Sequence, residues 1–445
     1  MSHLPLHTRR TFLKTVTALS ATTGLPAWFL EETLDAVAPA AKLGPNDKPN
    51  IALIGCGGQG RADAKNAARF ANVLAVCDVD ASRASAAAKQ FGDAQIHKDF
   101  RKLLERDDLH AILNGTPDHW HTFVNIAALK AGKDVYSEKP LTLTIDEGKR
   151  LVNVVKETER ILQTGSQQRS DARFRLACEL VRNERIGKLQ RVTTILPAGP
   201  RRGPFQTAPV PQGLDWEFWQ GQAPARDYIP ERCHLTFRYW LEYSGGTITD
   251  WGAHHNDIAL WGMGLDRSGP VAVEGKSLID MIPGGFTAPS QYRVVYTYGN
   301  GVTHTCLTTL RNRFDGSIDP DAAPTQPQHG VRFEGDNGWI FVTRGEIEAS
   351  APELLTEPLT KKTVELPVSA DHMGNFFDSV RSRRAPICDA EIGHRSVSLC
   401  HLGGLAIALG RKLQWNPHKE EFVADDEANG RLAREQRKPW TYETV

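Results

Sequence analysis

The chain has 445 residues, enough for two domains, and its content of 40% hydrophobic and 24% charged residues is ordinary for a soluble globular protein. The 53 basic and 53 acidic residues balance, so no basic excess argues for a nucleic acid or an anionic lipid surface as partner. The seven scattered cysteines form no Cys-x-x-Cys pair, which argues against a zinc site or a disulfide framework, and we expect free, buried thiols.

Residues 1–38 have the layout of a twin-arginine export leader. Arg9 and Arg10 precede a mildly apolar stretch, and Ala36-Val37-Ala38 offers a small-residue cleavage site. We therefore expect export by the twin-arginine (Tat) machinery to the periplasm; a leader retained as an anchor and a disordered basic terminus are the alternatives. No later run reaches the ~20 apolar residues of a membrane span. Residues 39–49, rich in proline, predict a linker.

Residues 50–166 predict a dinucleotide-binding domain of the Rossmann type. Short apolar runs, such as Ile51–Ile54 and Val73–Cys77, alternate with helix-length stretches, such as Ala81–Phe91. Because such strands are apolar on both faces, they predict a parallel sheet covered by helices on both sides. A capping box at Thr144-Ile145-Asp146-Glu147 opens one of the later helices.

A glycine-rich loop follows the first predicted strand and precedes a helix, which is the context of a dinucleotide-binding loop. Its glycines permit a tight turn and a close approach of the pyrophosphate, and the helix N-terminus supplies amide donors. Asp78 ends the second strand, where an acid hydrogen-bonds the ribose hydroxyls, so NAD is favoured; Arg61 and Arg83 keep NADP as the alternative. The loop residues expected to contact the cofactor are Gly55, Gly57, Gly58, Gln59 and Gly60.

The rest of the chain has longer, partly alternating strands, such as Val192–Leu196 and Trp339–Thr343. They predict a mainly antiparallel sheet in a substrate-binding domain over residues 167–412, and residues 413–445 are expected to be a C-terminal tail. The proline-rich segment 197–230 predicts a long surface excursion. The predicted fold class is α/β, with an N-terminal Rossmann domain and a C-terminal α+β domain whose open sheet is mainly antiparallel.

Three further motifs complete the pattern. Thr116-Pro117-Asp118-His119-Trp120-His121 follows the third strand, Glu138-Lys139-Pro140 follows the next, and a run from Gly245 to Asp257 contains Asp250 and His254. With the glycine loop, these motifs resemble the glucose–fructose oxidoreductase / inositol dehydrogenase / MocA (Gfo/Idh/MocA) family. The Gly393-His394-Arg395-Ser396 segment and the excursion rich in tryptophan and proline resemble its exported bacterial branches. The resemblance implies NAD-dependent oxidoreduction of a sugar, a polyol or a derivative, in a homo-oligomer.

The resemblance assigns the family's catalytic trio to Lys139, Asp250 and His254, and the residue types suit that chemistry. Asp250 and His254 are spaced to share one face of a helix. His254, with an ordinary pKa of roughly 6.5, can take the hydroxyl proton, and Asp250 can orient the histidine or hold its charged form. Lys139 can donate a hydrogen bond to the developing alkoxide, while the hydride chemistry belongs to the cofactor.

Other residues are expected to line the site. Adjacent helical histidines point about 100° apart, so His255 is a substrate-side candidate with packing as its alternative. A metal held by His254, His255 and Asp257 is disfavoured because their spacing does not face one point, and no metal is expected. For His119 and His121, helix-terminal packing is the alternative to a contact with cofactor or substrate. The further expected contacts are Thr116, Pro117, His119, His121 and Glu138 with the cofactor, and Arg169, Arg238 and His255 with the substrate.

Export constrains the reaction. Outside the cytoplasm no pool of free NAD reoxidises a released cofactor, so we expect the cofactor to stay tightly bound. Oxidoreduction between carbohydrate substrates is the first hypothesis. The alternative is redox-neutral, NAD-dependent cleavage of a glycoside, and the second alternative is a non-catalytic sugar- or nucleotide-binding protein on the same fold.

Overall fold

The computed structural model describes residues 9–36, 48–308, 329–360 and 362–442. Two β-sheets organise them, one of six strands and one of nine. Two helices, α1 (Arg9–Thr23) and α2 (Ala27–Ala36), precede the first sheet. Most of the predicted linker, and the Val37-Ala38 part of the predicted cleavage site, lie outside the described residues.

The six-stranded sheet forms the predicted Rossmann domain. Its strands are β1 (Asn50–Ile54), β2 (Asn72–Cys77), β3 (Gln95–His97), β4 (Ala111–Asn114), β5 (Asp134–Ser137) and β6 (Leu162–Thr164). The intervening helices are α3 (Gly58–Ala67), α4 (Ala81–Gln90), α5 (Phe100–Leu104), α6 (Asp118–Lys130) and α7 (Ile145–Thr158). The strand order is β3-β2-β1-β4-β5-β6 with all pairs parallel, so the prediction of a parallel sheet covered on both faces is confirmed.

Local sequence explains the borders of these helices. The Asp80 side chain accepts hydrogen bonds from the backbone N–H groups of Ser82 and Arg83 at the start of α4. Thr144 accepts from the Glu147 N–H at 3.2 Å at the start of α7, as the predicted capping box requires. These side chains satisfy donors that a helix leaves unpaired in its first turn.

The nine-stranded sheet forms the second domain. Its strands are β7 (Leu189–Leu196), β8 (Ala272–Ser277), β9 (Tyr292–Thr297), β10 (Thr303–Thr308), β11 (Gly330–Gly335), β12 (Gly338–Thr343), β13 (Glu346–Ala349), β14 (Leu413–Asn416) and β15 (Glu421–Phe422). The helices are α8 (Ala172–Arg182), α9 (Trp216–Gln220), α10 (Thr247–Asp250), α11 (Gly252–Met263), α12 (Glu353–Thr356), α13 (His372–Ser382), α14 (Ala390–Leu409) and α15 (Asp426–Asn429).

This sheet is mainly antiparallel, as predicted. Its order is β13-β12-β11-β7-β10-β9-β8-β14-β15, and only β7 and β10 are paired in parallel among its described strands. In β9, Tyr292, Val294 and Tyr296 are buried, whereas the residues between them are exposed or half-buried. Alternate burial follows because successive side chains of a strand point to opposite faces.

The predicted C-terminal tail is part of the folded domain. Strand β14 pairs with β8, and Leu413 and Trp415 are buried in the same cluster as Val273. Further along, Trp440 stacks on Phe218 with ring centroids 5.2 Å apart. The prediction of a tail beyond residue 412 is therefore wrong, because its apolar side chains find partners in both domains.

The predicted leader is also packed against the second domain. Val16, Leu25 and Phe29 are buried in a cluster that includes residues of α8 and β11. The Arg175 guanidinium lies over the Phe29 ring, 4.1 Å from its centroid. The apolar stretch that suggested a leader therefore contributes to a folded core in this structure, and its removal would expose that surface.

The segment predicted as a surface excursion instead crosses to the Rossmann domain. We call residues 197–243 the crossing segment. Its Gly213 oxygen accepts a hydrogen bond from the Ala81 N–H at 2.9 Å, and its Asp215 N–H donates to the Val79 oxygen at 3.0 Å. Aromatic side chains give this segment a core of its own, which includes Trp216, Trp219, Trp240 and Tyr243. The prediction missed this role because proline-rich sequence carries no periodic signal.

All seven cysteines are free and buried, as predicted. Within the described residues, no helix is both long enough and apolar enough to cross a membrane. In the same part of the chain, no cluster of three His, Cys, Asp or Glu side chains is arranged to hold a metal ion.

Candidate active site

A cleft of about 480 Å³ lies at the carboxyl edge of the parallel sheet, where open α/β sheets bind ligands. One wall is the Rossmann domain, and the other is the crossing segment, which contributes Phe218, Trp219, Phe237 and Arg238. Most of the predicted cofactor contacts line this cleft: Gly55, Gly57, Gly58, Gln59, Asp78, Thr116, Pro117, His121 and Glu138.

The glycine loop has the shape that a dinucleotide requires. Gly55 has a φ of +88°, and a Cβ there would lie 2.5 Å from the backbone of Gly115 and Thr116. A Cβ on Gly60 would lie 2.1 Å from the Gly55 oxygen, so Gly60 supports the turn rather than lining the cleft. Helix α3 begins at Gly58 and directs its free N–H groups toward the cleft. These residues fit the pyrophosphate of NAD.

Asp78 joins the glycine loop to the end of β2. Its Oδ2 accepts from the Cys56 N–H at 2.7 Å, and its Oδ1 accepts from the Asp80 N–H at 2.8 Å. Burial raises the pKa of Asp78, and these two hydrogen bonds oppose the rise. Each carboxylate oxygen keeps a second lone pair. Asp78 is therefore placed both to shape the loop and to accept from the ribose hydroxyls.

Lys139 and Asp250 form the centre of the site. The Lys139 ammonium lies 2.5 Å from Asp250 Oδ1 and 3.1 Å from the Asp250 backbone oxygen. The Arg238 guanidinium approaches the same carboxylate at 3.5 Å. Although burial acts to raise it, these two cations hold the pKa of Asp250 below its ordinary value. The structure therefore brings Lys139, Asp250 and Arg238 together around one ionised carboxylate.

His254 lies one turn after Asp250, at the start of α11, and is only 6% exposed. Burial, followed by the charges of Lys139 and Arg344, lowers its pKa well below the ordinary value, so the imidazole is neutral. Its Nδ1 is buried and finds no hydrogen-bond partner among the described residues. The Asp250 carboxylate contacts Lys139 and Arg238, and no hydrogen bond joins it to His254 among the described residues, so this structure does not show the expected orienting contact.

Arg169 does not face the cleft. It is 2% exposed, and its guanidinium binds both oxygens of Asp257 at 2.7 and 2.8 Å and Asp266 at 3.1 Å. This ion pair ties the turn after β6 to α11, the helix that carries His254. The predicted substrate contact by Arg169 is therefore wrong, and Arg169 is a positioning residue.

Two of the predicted histidine contacts are also corrected. His119 Nε2 lies 2.9 Å from the Trp219 oxygen, and its ring packs on Trp219 and Tyr243 away from the cleft. His255 is fully buried, with Nε2 2.9 Å from His329 Nδ1, so no direct contact with a substrate is available to it. Both residues follow the packing alternative.

His121 and Glu138 line the cleft, but their polar atoms are already engaged. His121 contacts the Pro140 oxygen through Nδ1 at 2.7 Å and the Thr116 oxygen through Nε2 at 2.9 Å. Glu138 accepts from Gln167 Nε2 at 2.9 Å, and burial raises the pKa of Glu138. These contacts fix the loop after β5 and thereby the position of Lys139.

The sequence analysis missed four residues beside His254. Trp251 lies below the guanidinium of Arg344, 5.0 Å away, and 4.4 Å from the His329 ring. Gln168 is buried next to the His254 backbone. These side chains come from a 3₁₀ turn, a helix start and two strand borders, and no local motif marks them.

The comparisons with known proteins place this site in context. The chain is 32% identical over 234 residues to the myo-inositol 2-dehydrogenase of Thermotoga maritima, covering 52% of this chain and 59% of that enzyme. It is 34% identical over 129 residues to a glycosyl hydrolase family 109 protein of Solibacter usitatus, covering 26% of this chain and 30% of that protein.

The fold is shared with solved structures. A levoglucosan dehydrogenase in complex with NADH and levoglucosan superposes with a TM-score of 0.61 at 15% identity, over 82% of this chain and 99% of that one. Residues 49–166 match the oxidoreductase family's NAD-binding Rossmann fold, and residues 202–442 match its C-terminal alpha/beta domain. The chain therefore belongs to the Gfo/Idh/MocA oxidoreductase family, and its N-terminal domain is that family's NAD-binding domain.

Proposed function

We propose that the protein is an NAD-dependent oxidoreductase acting on a CH–OH group of a sugar, a polyol or a derivative. The observation that carries this proposal is the Lys139–Asp250 pair near a neutral His254, with Lys139 lining a cleft that fits a dinucleotide. The similarity to a myo-inositol dehydrogenase and to a levoglucosan dehydrogenase supports the choice of substrate class.

Lys139, Asp250 and His254 have different roles in the proposed reaction. Bound NAD supplies the acceptor for the hydride that leaves the carbinol carbon. An ammonium has three N–H donors, and Lys139 directs two of them to Asp250, which leaves one for the substrate oxygen. Asp250 keeps Lys139 charged and in place. Neutral His254 takes the hydroxyl proton, because burial lowers its pKa and keeps the imidazole unprotonated before the reaction.

We also propose that NAD is tightly held and travels with the protein. The crossing segment supports this proposal because it covers the cleft and is tied to the Rossmann domain on both sides of Asp80. Trp440 packs behind Phe218, so the C-terminal residues reinforce this wall. Export by the Tat pathway to the periplasm, and assembly into a homo-oligomer, belong to the same proposal.

Protein purified from a bacterium with an active Tat pathway tests both NAD retention and oxidoreductase activity. We expect a nicotinamide signal that survives dialysis and changes when a panel of sugars and polyols is added. Protein free of nucleotide would contradict tight retention. If no compound in the panel changes the redox state of the bound nicotinamide or is itself changed in mass, the oxidoreductase proposal is contradicted.

Substitution of Arg9 and Arg10 by lysine tests the export route. The variant should stay in the cytoplasm, and unaltered export would contradict the Tat route.

Redox-neutral cleavage of a glycoside is the second candidate, and the similarity to a glycosyl hydrolase family 109 protein favours it. There, transient oxidation of one hydroxyl would acidify the neighbouring C–H and allow the glycosidic group to leave. Aryl glycosides separate the two reactions. Release of the phenol without net accumulation of NADH would support cleavage, and NADH formation without release of the phenol would support oxidation.

A further inference from the structure

The guanidinium of Arg344 lies near His254, the proposed base, and forms no ion pair with any described residue. It lies in the turn between β12 and β13, far in sequence from the other site residues, and its side chain is exposed. With its amide oriented to satisfy both neighbours, Gln168 accepts from Arg344 Nε at 3.2 Å and donates to the His254 oxygen at 3.0 Å. One buried side chain therefore links Arg344 to the residue that carries the base.

The aromatic ring of Trp251 fixes the other side of Arg344. The guanidinium carbon lies 5.0 Å from the ring centroid, a cation–π arrangement. Trp251 directly follows Asp250 in the chain, so its ring and the Asp250 carboxylate belong to one rigid turn. Held by Gln168 at Nε and by Trp251 on one face, Arg344 keeps its two terminal nitrogens free of hydrogen bonds to the described residues.

The carboxylates near Arg344 are committed elsewhere. Asp250 is engaged by Lys139 and Arg238. Asp171 caps α8 through the Arg173 N–H at 2.8 Å. Glu138 accepts from Gln167. None of these three carboxylates therefore forms an ion pair with Arg344 in the part of the chain that the structure describes.

We propose that Arg344 binds an anionic group of the substrate, so that the enzyme acts on an acidic sugar or polyol rather than a neutral one. A guanidinium fork matches the two oxygens of a carboxylate or a phosphate, which are the two sources of this chemistry. With the anion held at Arg344, the hydroxyl to be oxidised lies toward Lys139 and His254. This assignment rests on the proposed function and adds the substrate class to it.

The alternative is an ordinary solvated arginine on a hairpin turn. An arginine of that kind is not held by a buried amide and an aromatic face next to a catalytic base. Burial also lowers the pKa of Arg344, although Asp250, Asp171 and Glu138 act to raise it. Arg344 is partly desolvated by its surroundings and forms no ion pair with a described acid. Such a guanidinium binds an anion more strongly than a fully solvated guanidinium does.

Matched pairs of sugars test the assignment on the NAD-containing enzyme. The probes are D-glucuronate and D-gluconate against D-glucose and sorbitol, with glucose 6-phosphate as the phosphate arm, and binding is read from bound-NADH fluorescence and KM. We expect at least one acid to bind about 10- to 100-fold more tightly than its neutral counterpart, the range of a charge-assisted contact. Preference for the carboxylates or for the phosphate identifies the source of the anion.

Arg344→Gln should bring the ratio of acid to neutral affinity close to one, and Arg344→Lys should restore part of it. Arg293→Gln, which removes an exposed arginine on β9, is the matched control and should leave the ratio unchanged. Equal binding of acids and neutral sugars, binding of no probe, or equal losses for both kinds in Arg344→Gln would overturn the assignment.

The same experiment separates this assignment from the proposed function. Turnover of neutral sugars without a preference for acids would remove the role of Arg344 and leave the oxidoreductase standing. Arg344-dependent binding of an acid without any redox turnover would leave the anion site and remove the oxidoreductase.

Discussion

The two sides of the cleft are built in different ways. The cofactor side comes from contiguous loops at the ends of parallel strands, such as Gly55–Gly60 and Glu138–Pro140. The substrate side is assembled from distant pieces: the turn after β6, the start of α11 and the turn after β12. A loop that must approach a dinucleotide backbone is restricted to a few residue types, whereas a substrate wall accepts many. The first side is therefore visible in sequence, and the second is visible only in three dimensions.

The largest effect is expected at the junction of the two sides. His254→Ala should lower the rate of hydride transfer by about 10²- to 10⁴-fold, the usual contribution of a general base. Bound NAD should be retained, because His254 does not line the cofactor cleft. Single-turnover NADH formation at saturating substrate measures this step. An unchanged rate would remove His254 as the base, and loss of NAD would place it on the cofactor side.

The substrate side also depends on a buried ion pair. Arg169→Met should leave Asp257 as a buried, unpaired carboxylate and lower the free energy of unfolding by about 3–5 kcal/mol. The double variant Arg169→Met/Asp257→Leu should recover much of that loss, because neither charge then remains alone. Chemical denaturation measures both values. A single variant that raises KM at unchanged stability would instead return Arg169 to the substrate site.

Arg169 shows where sequence reasoning stopped. The glycine loop and the Lys139 motif predicted the cofactor side of the cleft. Each is a short contiguous stretch whose residue types are restricted by the backbone geometry of a single loop. Arg169 and His255 were predicted from position alone, and position does not reveal whether a charge is paired. Arg169 binds Asp257, which lies 88 residues away in the chain, and His255 contacts His329, which lies 74 residues away. Tertiary contacts of that range decided both outcomes.

A smaller effect is expected where the crossing segment closes over the cofactor side. Phe218→Ala removes a ring that lines the cleft and stacks on Trp440. Loss of one such aromatic contact, about 0.5–1.5 kcal/mol beyond its area, should speed NAD dissociation by up to roughly 10-fold. Val423→Ala, at an exposed position away from the cleft, is the control. NAD release into a trap enzyme gives the rate, and identical rates for both variants would contradict retention by this segment.

The smallest expected effect is a pH shift that joins the two sides. Lys139 and Arg344 both act to lower the pKa of His254, on top of the larger effect of burial. His254 must be neutral to act as base, so activity is lost as the pH falls through this pKa. Arg344→Gln removes one positive charge and should therefore raise the pKa of His254, which moves the acid limb of the kcat/KM profile to higher pH. Because burial still lowers it, the pKa of His254 should stay below the ordinary value of roughly 6.5. Arg293→Gln should leave the limb in place. A pH profile of kcat/KM on whichever sugar the panel identifies measures the shift, and a limb that stays fixed or moves to lower pH would separate Arg344 from His254.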